Sequence, residues 1–154
     1  MVAVALSHLH YDHAGGLRHF AERVPVHCQR RELEYGLHGS RPDPQAYGIF
    51  RIDFDDPAID WRLAEGDVEL APGVVAIPTY GHTPGHRSFM VTLGAELAVG
   101  GFVQCTPDDT VEAIRRLKAI AGEKGYRLVP GHDPIGWPAF AAELGVPGPP
   151  RSIG

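Results

Sequence analysis

The sequence predicts an α/β layered domain. Three observations lead there: short apolar runs recur along the chain, segments with one apolar helical face alternate with them, and histidine-rich loops come directly after apolar runs. Open α/β sheets place their ligand groups at the carboxyl ends of strands, where such loops would sit.

The elements are taken in chain order. Val2 to Leu6 is continuously apolar, which suits a strand buried on both faces. Ser7 ends it and opens a loop carrying His8, His10, Asp12 and His13. Ala14-Gly15-Gly16 lets the backbone turn closely, and Leu17 to Glu22 reads as a short helix. Val24 to Cys28 is a second strand. Arg30 to Leu37 reads as a helix with its charged residues facing out around Leu33 and Leu37. Gly39 to Pro57, with Pro42, Pro44 and Pro57, reads as a long irregular connection of the kind that often forms a lid or binding loop. Strands come next at Val68 to Leu70 and Val74 to Ile77, split by Pro72-Gly73. Phe89 to Leu93 and Leu97 to Val99 form a hairpin around Gly94. Asp108 to Ala121 is the clearest helix, capped by Thr106 or Asp108. Leu128-Val129 reads as a last strand, and residues 145–154 as a flexible tail behind a domain spanning residues 1–144.

Length and charge narrow the function. A chain of 154 residues has room for one domain with a real core. A formal charge of −5, from 14 basic and 19 acidic residues, argues against a nucleic-acid partner. No apolar stretch approaches the roughly 20 residues that span a bilayer. Cys28 and Cys105 are isolated, so neither a disulfide framework nor a cysteine zinc site is signalled, and a reducing cytoplasm is the expected location.

The chemistry lies in the histidines. Six of the nine fall in three segments, His8-Leu9-His10-Tyr11-Asp12-His13, Gly81-His82-Thr83-Pro84-Gly85-His86 and Pro130-Gly131-His132-Asp133. Neutral imidazoles and carboxylates are the ligand set that zinc and similar ions prefer. In an extended or turning loop His8 and His10 project to one side and can reach one ion, while Asp12 and His13 turn toward a second. Two ions roughly 3.5–4 Å apart could hold a hydroxide between them and polarise a substrate oxygen, which is hydrolase chemistry. His19, His27 and His38 lie outside the pattern and are expected to be solvated or helix-packed, and Asp133 to support the loop.

With these motifs, the chain resembles the metallo-β-lactamase superfamily, and within it the N-acyl homoserine lactonase branch. The resemblance runs from Ala5 to about Pro138, and Ser-His-Leu-His-Tyr-Asp-His-Ala-Gly-Gly at residues 7–16 is its most specific stretch. Gln29-Arg30-Arg31-Glu32 and Ala71-Pro72-Gly73-Val74 add to it. It implies that His8, His10 and His82 hold one zinc and that Asp12, His13 and His132 hold a second. His86 then supports its loop, and Asp12 also relays a proton to the leaving oxygen. The implied activity is zinc-dependent opening of a lactone or cleavage of a related ester. The alternatives are a thioesterase of the glyoxalase II kind, or a non-catalytic metal-binding remnant.

Two departures bear on that implication. The family's aspartate that bridges both metals has Gly101 at its position here, and the tyrosine that helps place the substrate carbonyl is matched by Gln104. Family members also carry a substantial β region ahead of the first ligand motif, whereas Met1 here stands directly on the strand feeding His8. The expected fold is therefore a partial αββα sandwich lacking much of its N-terminal β half, with an exposed sheet that favours self-association. One or two zinc ions are expected, with activity impaired by the lost carboxylate.

Overall fold

The computed structural model describes residues 3–39, 47–93, 96–98, 107–129, 135–143 and 145. Two sheets are present. The first is three-stranded and parallel, in the order β1 (Val4–Ala5), β2 (Val26–Gln29) and β3 (Trp61–Ala64). The second is four-stranded and antiparallel, in the order β4 (Val68–Ala71), β5 (Val74–Pro78), β6 (Arg87–Leu93) and β7 (Glu96–Ala98). With helices beside both, this is an αββα sandwich.

The expectation of a partial sandwich lacking much of its N-terminal β half is overturned, because both sheets are formed. The strand that feeds His8 finds its neighbour downstream: Val4 pairs with Val26 and Ala5 with His27, and Val26 pairs in turn with Trp61. Parallel neighbours need a crossover. Here the crossovers are the short helical segments between residues 11 and 19 and the helix after β2. β3 is not evident in the sequence, since its alternating Trp61-Arg62-Leu63-Ala64 is short and borders the proline-rich connection.

Four α-helices are formed among the described residues: α1 (Tyr11–Ala14), α2 (Arg30–His38), α3 (Pro107–Lys124) and α4 (Gly136–Glu143). Leu17–His19 and Arg51–Asp53 are single 3₁₀ turns. Leu128 and Val129 do not form a strand. The sequence gives little sign of α4, because Pro138 falls in its first turn, the one place where a helix tolerates proline well.

The first sheet's core gathers Leu6, Leu9, Ala14, Leu17, Val26, Leu33, Ile49, Phe54 and Ile59. Leu9 and Phe54 are wholly buried. Each such side chain contributes about 1.5–3 kcal/mol on burial. Leu9 matters most for the histidine loop, because burying it fixes the backbone between His8 and His10. α2 approaches closely: a Cβ on Gly36 would lie 2.9 Å from both Leu9 and Phe54 side chains. No helix among the described residues is long and apolar enough to cross a membrane.

Candidate metal centre

The first histidine loop leaves β1 at its carboxyl end, and its backbone is held at several points. Leu6 N–H donates to His27 O at 3.0 Å, extending the β1–β2 ladder to the brink of the loop. Tyr11 N–H donates to Gly48 O at 2.8 Å, and α1 begins there. The second loop joins β5 to β6 as a tight turn. Thr79 N–H donates to His86 O at 2.9 Å, while Gly81 and His86 N–H both point to Thr83 O. Gly81 has φ of 128°, and a Cβ there would meet Thr110 Oγ1 at 2.2 Å, so the loop lies hard against the first turn of α3.

These supports bring three imidazoles from two distant segments to one point. His8 Nε2 is 3.0 Å from His82 Nε2, and His10 Nδ1 is 3.0 Å from the same atom. Ring centroids are 4.7 Å apart for His8 and His10, 4.5 Å for His8 and His82, and 4.6 Å for His10 and His82. The rings form a nearly equilateral triangle with nitrogens facing inward.

That arrangement fits a cation. His82 Nε2 carries at most one proton, which cannot serve both close nitrogens well. An ion accepting a lone pair from each ring resolves the conflict at once. Tetrahedral zinc with Zn–N near 2.0–2.1 Å would set its ligand nitrogens about 3.3 Å apart, close to the observed spacing. The charge state agrees: burial first, then His13 and the neighbouring imidazoles, drives the His8 pKa far below its ordinary value, so His8 is neutral. A second group shares His8 and adds Asp12 and His13, with one ligand atom from each lying within 4.8 Å of the others. His13 Nε2 is 3.4 Å from Asp12 Oδ2, and both side chains are partly exposed. The two groups are consistent with a centre of one or two zinc ions.

One neighbour touches two of these rings. Ser7 Oγ lies 3.0 Å from His8 Nδ1 and 3.3 Å from His13 Nδ1. With its proton on Nδ1 toward Ser7, His8 turns the Nε2 lone pair to the cluster. His86 is buried, with Nδ1 3.0 Å from Thr79 O, and its pKa is pushed down to about 3, chiefly by burial. It stands outside both candidate groups. His19 and His38 are exposed and His27 is half-buried, also apart from them. His132, Asp133, Gly101 and Gln104 lie outside the described residues.

Residues 2–99 match the family model of the metallo-beta-lactamase superfamily. The chain belongs to that superfamily. Within the superfamily it is similar to the N-acyl homoserine lactonase AttM of Azorhizobium caulinodans, at 35% identity over 89% of this chain and 60% of the relative. It is likewise similar to an N-acyl homoserine lactonase of Bacillus thuringiensis, at 31% identity over 86% of this chain and 56% of the relative. The chain thus spans about 60% or less of the length of these lactonases. A solved N-acyl homoserine lactone hydrolase, with the product N-hexanoyl-L-homoserine at its catalytic metal centre, superposes with a TM-score of 0.77. Its identity is 26%, and the match covers 90% of this chain and 58% of that one.

Three supporting residues of this superfamily member are not apparent from sequence. Ser7 opens the family-like stretch at residues 7–16, but nothing in the sequence marks its contacts with His8 and His13. Arg87, 1% exposed, stands after the second loop with no motif to mark it. Glu32, 0% exposed, resembles the outward-facing charges of α2. Its signals are its place in the Gln29-Arg30-Arg31-Glu32 run, which resembles the family, and its position before Leu33, at the edge of the apolar face.

Proposed function

We propose that this chain carries the metal centre of a zinc-dependent hydrolase that opens N-acyl homoserine lactones or cleaves related esters. His8, His10 and His82 hold the first ion, and Asp12, His13 and His132 the second. The observation that carries the reading is the convergence of His8 Nε2, His10 Nδ1 and His82 Nε2 at 3.0 Å spacings. Similarity to the lactonases supports the substrate class.

Bound zinc supplies Lewis acidity toward the substrate carbonyl and a water acidic enough to attack near neutral pH. The chain's own groups do the rest. The imidazoles of His8, His10 and His82 would hold the ion. The Asp12 carboxylate, partly exposed beside His13, takes the proton released as water adds to the acyl carbon. It then delivers that proton to the ring oxygen as the acyl C–O bond breaks, giving the open hydroxy acid.

Residues 1–144 act as the domain; the tail expected at residues 145–154 lies, apart from Gly145, outside the described residues. β1, paired only with β2 among the described residues, offers its other edge for self-association. The free buried Cys28 suits a reducing cytoplasm.

The test is ring opening of N-hexanoyl homoserine lactone, monitored by acid release in zinc-supplemented buffer. Slow turnover is expected because Gly101 stands at the bridging-aspartate position, and His82→Ala or Asp12→Asn should abolish it. Zinc-loaded protein that opens no acyl homoserine lactone of any chain length would overturn the lactonase assignment.

A further inference from the structure

One buried carboxylate touches both histidine loops. Glu32 Oε1 accepts the Leu9 N–H at 3.0 Å, and Leu9 stands between His8 and His10. Glu32 Oε2 accepts the Thr83 hydroxyl at 2.7 Å and the Gly85 N–H at 3.0 Å, on the loop that carries His82. The donors come from two segments far apart in sequence, and a single side chain from α2 serves both. Thr83 is itself wholly buried.

The surrounding contacts fit that role. A Cβ on Gly85 would lie 2.2 Å from Glu32 N and 2.5 Å from its Cα, so the loop can reach the carboxylate only where a side chain is lacking. Gln29, at the N-cap of α2, donates from Nε2 to Tyr80 Oη at 3.3 Å, and the Arg31 guanidinium lies 4.8 Å from the Tyr80 ring centre. The first turn of α2 therefore clasps the second loop on both sides of His82. A buried carboxylate is an expensive packing element, since desolvating it costs several kcal/mol before its hydrogen bonds offset that. Three well-directed donors offset it here, and each lies close in sequence to His8, His10 or His82.

The geometry points to Glu32 as a positioning residue: its carboxylate latches the two loops together and so sets the spacing of the His8, His10 and His82 nitrogens. This inference rests on the metal-centre reading above. A carboxylate spanning both loops selects a single separation between them, whereas apolar packing tolerates a range. The effect on metal binding is that expected for groups that orient ligands from outside, about 10–100-fold in affinity.

The experiment compares the unsubstituted chain with Glu32→Gln and Thr83→Val. Zinc affinity is measured by competition with a chromophoric chelator, and coordination geometry by the visible absorption of the cobalt-loaded protein. Glu32→Gln keeps the shape but cannot accept all three donors; it should lose about 10–100-fold in zinc affinity and show weakened, shifted cobalt bands. Thr83→Val removes one donor and should lose less, with the same direction of spectral change. The double variant should lose less than the product of the two single losses, because both act through one contact. A purely structural role would lower melting temperature while leaving the cobalt spectrum of folded protein unchanged. Folded Glu32→Gln with unaltered affinity and spectrum would overturn the inference; should that variant fail to fold, unaltered affinity and spectrum in Thr83→Val would overturn it equally. Failure of the unsubstituted chain to bind zinc would instead overturn the metal-centre reading and the inference with it.

Discussion

Arg87 Nε donates to Leu6 O at 2.7 Å, joining the first residue of β6 to the carboxyl end of β1. The same guanidinium donates through Nη2 to His27 O, and the Arg87 backbone N–H donates to Ser7 O at 3.0 Å. One residue thus ties the antiparallel sheet to β2 and to the end of β1, which leads into the histidine loop. Nη1 is buried without a hydrogen-bond partner, so the clamp carries a desolvation cost, and burial lowers the Arg87 pKa.

Arg87→Met should therefore destabilise the fold by about 2–4 kcal/mol, since the Leu6 carbonyl loses its charged donor and the His27 carbonyl loses one of its two donors. Loss of the partnerless Nη1 offsets part of this. Denaturant unfolding of both proteins checks the value, and a change below about 0.5 kcal/mol would show that the clamp carries no stability.

Gly85→Ala should cost at least about 1–3 kcal/mol, because the new methyl meets the α2 backbone rather than a movable side chain. It should lower zinc affinity as well, by pushing the second loop away from Glu32. Gly16→Ala, where nothing lies within 4 Å of the added atom, is the control and should leave both unchanged.

Acid should destabilise the metal-free protein. His8 and His86 are held neutral by burial, while in the unfolded chain each takes up a proton near pH 6.5. Below that pH the unfolded state binds more protons, so stability falls as pH falls, by about 1.4 kcal/mol per pH unit for each such histidine. For His86 the loss continues until the folded protein protonates near about 3. Glu32 acts in the opposite sense: burial raises its carboxyl pKa above 4.5, so the folded state takes up that proton first and gains stability on acidification. Two histidines against one carboxylate leave a net loss between pH 6.5 and about 5. Urea melts at about pH 7, 6 and 5 check it, and a flat profile would contradict the burial of both imidazoles.

Metal stoichiometry tests the consequence of Gly101. One zinc should bind tightly at His8, His10 and His82 and a second weakly, because the bridging carboxylate that would offset repulsion between two dications has no counterpart at Gly101. Gly101→Asp should raise occupancy of the second site. Two zincs resisting mild chelation in the unsubstituted chain would contradict this.

Much of the architecture is legible in local patterns. β2, α2, β4, β5 and α3 fall where apolar periodicity places them, because each buries its own stripe against a neighbour. The pairing of His8 with His10 is expected from their spacing after an apolar run, whereas the addition of His82 is what the family resemblance implies. What stays hidden depends on tertiary contact. The neighbour of β1 comes from Val26–Gln29, a pairing that no local pattern in Val2 to Leu6 announces. The expectation of a partial sandwich lacking much of its N-terminal β half is wrong for that reason. Glu32 and Arg87 look like surface charges in sequence, and only the approach of two loops and two sheets makes them internal. His132 and Gly101, the remaining parts of the sequence-based site, lie outside the described residues.

The central claim is that His8, His10 and His82 hold one ion. The most direct measurement is zinc K-edge X-ray absorption on the chain loaded with one equivalent, repeated on His82→Ala. Three imidazole nitrogens at about 2.0–2.1 Å with one oxygen ligand are expected, and a loss of one imidazole together with tight binding in the variant. An unchanged imidazole shell and unchanged affinity in His82→Ala would contradict it, for the ion would then be held somewhere other than between the two loops.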